Sequence, residues 1–191
     1  MREKYTYDTR KEAEVSMNST ISIGMQDFGK LIRSGAFYVD KTSFIKEWWE
    51  NQDDVTLVTR PRRFGKTLNL SMVDYFFSNQ HVDSGKLFEK LDIWEEEKYQ
   101  DLQGTFPVIF VSFAGIKAEN YATARDGIIQ VLLDLYAKYY FLLQSDVLNE
   151  QEREYFAYVR PDMSDAVAAM ALHRLAICMY RYYGKKAIIL L

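Results

Sequence analysis

Val55-Thr56-Leu57-Val58-Thr59-Arg60-Pro61-Arg62-Arg63-Phe64-Gly65-Lys66-Thr67 is the stretch that decides the reading of this chain. A strand-length apolar segment, 55–59, runs through a tight basic loop into Gly-Lys-Thr. Leu68, Met72, Val73 and Phe76 then recur at helical spacing. Strand, loop and helix in that order match the phosphate-binding pattern G-x-x-x-x-G-K-[ST], with one departure: the pattern's first glycine falls on Arg60. The residue types suit the chemistry. A polyphosphate gathers several negative charges in a small volume. The first N–H groups of a helix lack intrahelical partners and carry the positive end of its dipole. The expected phosphate-binding set is Arg63, Phe64, Gly65, Lys66, Thr67 and Leu68. Gly65 tolerates positive φ and a close approach of the main chain. Lys66 can reach β- and γ-phosphates, and the Thr67 hydroxyl can complete a Mg²⁺ shell made mostly of water and phosphate oxygens. A bulky residue at position 60 is expected to keep negative φ. The bland alternative is a solvated Arg/Lys loop, and the apolar segment before it and the helical pattern after it weigh against that.

Around this loop the chain resembles the bacterial AAA-ATPase-like family, whose members often carry a nuclease-like domain of the PD-(D/E)XK type further on. The resemblance rests on Ile23-Gly24-Met25-Gln26-Asp27-Phe28, Tyr38-Val39-Asp40-Lys41-Thr42, Arg60-Pro61-Arg62-Arg63-Phe64-Gly65-Lys66-Thr67 and Pro107-Val108-Ile109. It covers about residues 21–191, the family's N-terminal half, and the family shares Arg-Pro-Arg-Arg before its Gly-Lys. It implies an ATP-binding P-loop domain using Mg, and ATP rather than GTP. It also implies self-association as an option, and nucleic acid as a partner through a domain further on. Arg62 or Arg63 could add charge at the phosphates or face a neighbouring subunit, or serve only solubility.

The whole chain has 191 residues, 48% hydrophobic and 27% charged, which fits one globular domain with a sizeable core. A net charge of −3 argues against a general nucleic-acid coat. Cys178 is the only cysteine, so no internal disulfide can form. No segment reads as a signal peptide or a membrane span, and the expected setting is cytoplasmic, with no membrane partner.

Residues 1–20 read as a polar, disordered tail, with Met17 as an alternative start to Met1. Residues 27–34 form a helix ended by Gly35. Asp40 is expected to cap a helix over 41–51, and Phe28 and Tyr38 to pack in the core, or to line the adenine side of a pocket. The acidic run 95–97 reads as a solvated face. Residues 107–113 read as a buried parallel strand. Asn120 caps a long helix with Ile128, Val131, Leu132, Leu135, Tyr139 and Leu142 inward. A helix over 164–183 ends at Gly184, with His173 on or near its inward face in a structural role, and 186–191 form a third strand.

These elements predict an α/β fold: an incomplete three-layer P-loop domain over 21–191, with a parallel sheet and helices on both faces. In the resembled family an Asp-Glu pair closely follows the strand matching 186–191. This chain stops there, so it is expected to be a fragment lacking the acidic catalytic residues and inactive alone, with ATPase activity left to the full-length protein. The family also places a further strand between 55–59 and the acidic strand, so those two are expected to lie apart or mispair. A competing reading is a non-enzymatic module that binds nucleic acid or a partner through Arg60, Arg62 and Arg63, with Phe64 stacking on a base.

Overall fold

The computed structural model describes residues 24–59, 61 and 64–191. The tail, Met17, Arg60 with its expected negative φ, Arg62 and Arg63 lie outside them. In chain order the elements are α1 (Phe28–Arg33), α2 (Ser43–Asn51), α3 (Lys66–Phe77), α4 (Glu97–Gln100), β1 (Val108–Phe110), α5 (Tyr121–Lys138), α6 (Glu150–Tyr158), α7 (Asp165–Tyr183) and β2 (Ile188–Leu190). Short 3₁₀ turns over Asn79–Leu87, Asp92–Glu95 and Tyr140–Gln144 join them.

Side-chain caps fix most helix starts. Asp27 accepts the Lys30 N–H, Asn120 that of Thr123, and Ser164 that of Val167. Asn149 and Glu152 exchange bonds in a capping box that opens α6. Gly184, left-handed at φ +68°, ends α7.

β1 and β2 pair in parallel, Val108 opposite Ile188 and Phe110 opposite Leu190. The strand period of two sends Val108 to one core and Ile109 and Val111 to another. The first core gathers Phe28, Ile45, Met72, Val73, Phe76, Phe77, Phe88, Ile93, Tyr99 and Leu190, largely from α1, α2 and α3. The second gathers Ile129, Leu132, Leu135, Tyr136, Tyr139, Ala171, Leu175 and Met179, from α5, the turn after it and α7.

The structure is thus mostly helical with a small parallel sheet, an α/β arrangement, and it departs from the expected sheet at one place. Residues 55–59 form no strand. Val55 is 89% exposed and Leu57 83%, and the segment pairs with neither β1 nor β2. The expected strand over 107–113 shortens to β1. Ile128 is 40% exposed while Ile129 and Tyr136 take inward places, and His173 sits on the exposed side of α7.

Candidate functional site

Gly65 is the N-cap of α3 with φ +74°, in the left-handed region that glycine enters at little cost. Its carbonyl accepts the Asn69 N–H at 2.8 Å, which closes the first helical turn. No side chain caps this end, and the first turn holds no acidic residue. α3 therefore begins with no acidic residue in its own first turn to offset its dipole. Lys66 and Thr67 are exposed on that first turn, Leu68 packs partly against the first core, and Phe64 is 60% exposed. Gly65 stands at the start of the helix as expected; 55–59, expected as the strand leading into the loop, form no strand.

The segment from Tyr38 to Thr42 lies alongside and is tightly fixed. The Tyr38 hydroxyl donates to the Met72 sulfur at 3.1 Å, and burial keeps its phenol protonated well above the usual range. Asp40 does not cap a helix by the expected route. Its Oδ1 accepts the Thr42 N–H at 2.8 Å and its Oδ2 the Asp92 N–H at 2.7 Å, so it ties two segments together. α2 starts after Thr42, whose own buried hydroxyl accepts the Ile93 N–H at 3.2 Å. Phe28 is fully buried against Tyr38, Tyr75 and Phe88, so it is a core residue and not a pocket wall.

Thr67 opens onto a groove of about 350 Å³ whose other walls are Gln26, Asp27, Ser71, Asp74, Tyr75, His81 and Phe110. Ser71 Oγ accepts the Phe28 N–H at 3.0 Å, and Asp74 lies 3.4 Å from His81 Nε2. The Tyr75 ring stacks on His81 with centroids 4.3 Å apart, and its hydroxyl reaches Asp27 at 3.4 Å. Burial raises the Asp74 carboxyl, and His81 opposes that shift. Sequence reading missed this wall because it followed only the apolar positions of α3. Thr67, Ser71, Asp74 and Tyr75 recur at the same helical spacing, and that was the available signal.

Among the described residues no cluster of three or more His, Cys, Asp or Glu could hold a metal. Among the described residues no helix is long and apolar enough to cross a membrane.

An uncapped helix opened by left-handed Gly65, Lys66 and Thr67, in a mostly helical α/β chain, is the setting in which the comparisons with known proteins fall. The family described as "Predicted AAA-ATPase" matches residues 22–191, and the chain belongs to that family. It is also 34% identical over 134 residues to an uncharacterized protein in the vnfD 5′ region of Azotobacter chroococcum mcd 1. The match covers 69% of this chain and 21% of that protein, so the chain spans about a fifth of that relative's length. No solved structure matches it.

Proposed function

We propose that this chain binds ATP with Mg²⁺ at the start of α3. Lys66 and the loop amides hold the phosphates, and Thr67 ligates the metal. The single observation that carries the reading is the start of α3: left-handed Gly65 at an uncapped, acid-free helix end that bears Lys66 and Thr67. Such an end binds anions through its free amides and dipole. Residues 21–191 act in this reading as the N-terminal portion of a P-loop domain. The exposed 55–59 segment joins the sheet beside a further strand that separates it from β2. This portion contributes binding rather than turnover: β1 leads through Ser112 and Phe113 into Ala114 and Gly115, with no carboxylate to prepare a water. The acidic group, and any contact with nucleic acid, come from elsewhere in the protein.

The test is titration calorimetry of ATP with and without Mg²⁺ on the chain and on Lys66→Ala. Loss of a charge-assisted contact to phosphate should weaken ATP binding roughly tenfold or more. Unchanged affinity in Lys66→Ala removes the reading.

A further inference from the structure

Lys41 stands where the α3 N-terminus would receive an anion. Its Nζ is 3.6 Å from the point a β-carbon on Gly65 would occupy, and the Asn69 Oδ1 is 4.0 Å from the same point. The backbone on either side of Lys41 is fixed by the bonds that Asp40 and Thr42 make to Asp92 and Ile93. The base of the Lys41 side chain is therefore anchored by packed structure. Lys46 and Lys98 pair with Glu96, and Lys98 also with Glu50. Lys41 has no ion-pair partner among the described residues, and both oxygens of neighbouring Asp40 are taken by backbone N–H groups. Lys41 is a half-buried lysine whose ammonium lies at the positive end of a helix, and an anion bound there would stabilise both. A second observation points the same way. Asn69 is only 4% exposed, and its Oδ1 is a buried acceptor with no hydrogen-bond partner among the described residues. Lys41 Nζ and Asn69 Oδ1 both lie within 4.0 Å of one point at the mouth of the turn without bonding to each other, so a small movement of the lysine would give this buried acceptor a donor.

We propose that Lys41 is a second phosphate-binding cation of this site, delivered from the segment before α2, and that its ammonium takes the Asn69 side-chain carbonyl as its acceptor when the phosphate is bound. This rests on the reading of the α3 start as a nucleotide site. The ligand it meets is the polyphosphate, not the base, since it approaches the glycine of the turn from the side of α2. Two consequences separate this role from a structural one. Removing the charge weakens polyphosphate binding, and it raises stability without ligand, because it relieves repulsion at the helix end.

The experiment titrates Mg–ATP and, separately, inorganic tripolyphosphate into the chain and into Lys41→Met, Lys41→Arg, Asn69→Asp and Lys66→Ala. The thermal midpoint of each protein without ligand is recorded alongside. Lys41→Met should bind both ligands roughly tenfold more weakly or worse, with an unchanged or higher midpoint. Lys41→Arg should retain most of the binding. Asn69→Asp keeps the shape but pairs Lys41 internally, and should lose affinity like Lys41→Met while gaining stability. If ATP binds the unmodified chain and Lys66→Ala abolishes it, yet Lys41→Met or Asn69→Asp binds as before, the role of Lys41 is overturned and the nucleotide site stands. A clear fall in midpoint in Lys41→Met, with binding not rescued in Lys41→Arg, makes the residue structural and overturns the role too. Failure of the unmodified chain to bind either ligand overturns both.

Discussion

Replacing Tyr139 with Phe removes one atom, and the structure says what that atom does. Tyr139 is fully buried, and its hydroxyl donates to the Val108 carbonyl at 2.6 Å. The Ile188 N–H donates to the Pro107 carbonyl and the Val111 N–H to the Leu190 carbonyl, so alternate groups of β1 face β2. The Val108 carbonyl faces the other way, toward the edge β2 does not cover. Phe at 139 keeps the ring and leaves that carbonyl short of a donor. Stranding a buried acceptor costs about 1–3 kcal/mol, a large part of the stability of an ordinary domain. Urea unfolding followed by far-UV circular dichroism should show the midpoint falling with unchanged slope. There is also a pH signature. Burial first, and the nearby Asp74 charge second, push this phenol up to about 12. The folded chain therefore holds a proton that the unfolded chain releases above its usual value near 10, and this share of stability falls as pH rises between the two. Tyr139→Phe should lose stability less steeply over that window. A cost below about 0.5 kcal/mol at neutral pH would refute the claim that the hydroxyl satisfies a buried carbonyl.

Glu152 both closes the capping box of α6 and accepts from Arg181 on α7. Glu152→Ala should cost about 2 kcal/mol and Asn149→Ala about 1 kcal/mol, read from urea midpoints; equal losses would show that the bond to Arg181 contributes nothing. Gly104 has φ +70°, and a β-carbon there would lie 2.8 Å from the Val82 Cα, a backbone atom that cannot swing aside. Gly104→Ala should therefore cost more than the ~1–2 kcal/mol of left-handed strain alone, and a loss under about 1 kcal/mol in the same assay would contradict the contact.

The helices were legible because their signals are local. Asp27, Asn120, Ser164 and Gly184 stand at the ends they mark, and the periodic face of α7 buries Ala171, Leu175 and Met179 as its spacing implies. The glycine that opens α3 was legible for the same reason. The strand over 55–59 was not, because an apolar run states only that a segment can pair, and pairing depends on which edge is within reach. Asp40 misled in a related way. An acid just before a helix reads as a cap, but its second oxygen had a partner 52 positions away, in a contact no local pattern encodes. The polar wall of α3 from Thr67 to Tyr75 was written at helical spacing and went unread beside the stronger apolar stripe.

The two faces of β1 bear on how the chain assembles. Residues of the second core run without interruption from Ile109 to Met179, so that half can form in the order in which it is synthesised. The first core draws on the chain from Phe28 to Val108 and then waits for Leu190. Lys185 reaches back across 80 positions to the Thr105 carbonyl just before β2 docks. β2 thus pairs with β1 across 80 positions through three residues, and loop closure of that kind is slow relative to helix formation. Amide protons of β1 and β2 should consequently gain protection late in refolding, after those of α5 and α7. The start of α3, packed on the core that β2 completes, then reaches its final geometry only once β2 has docked.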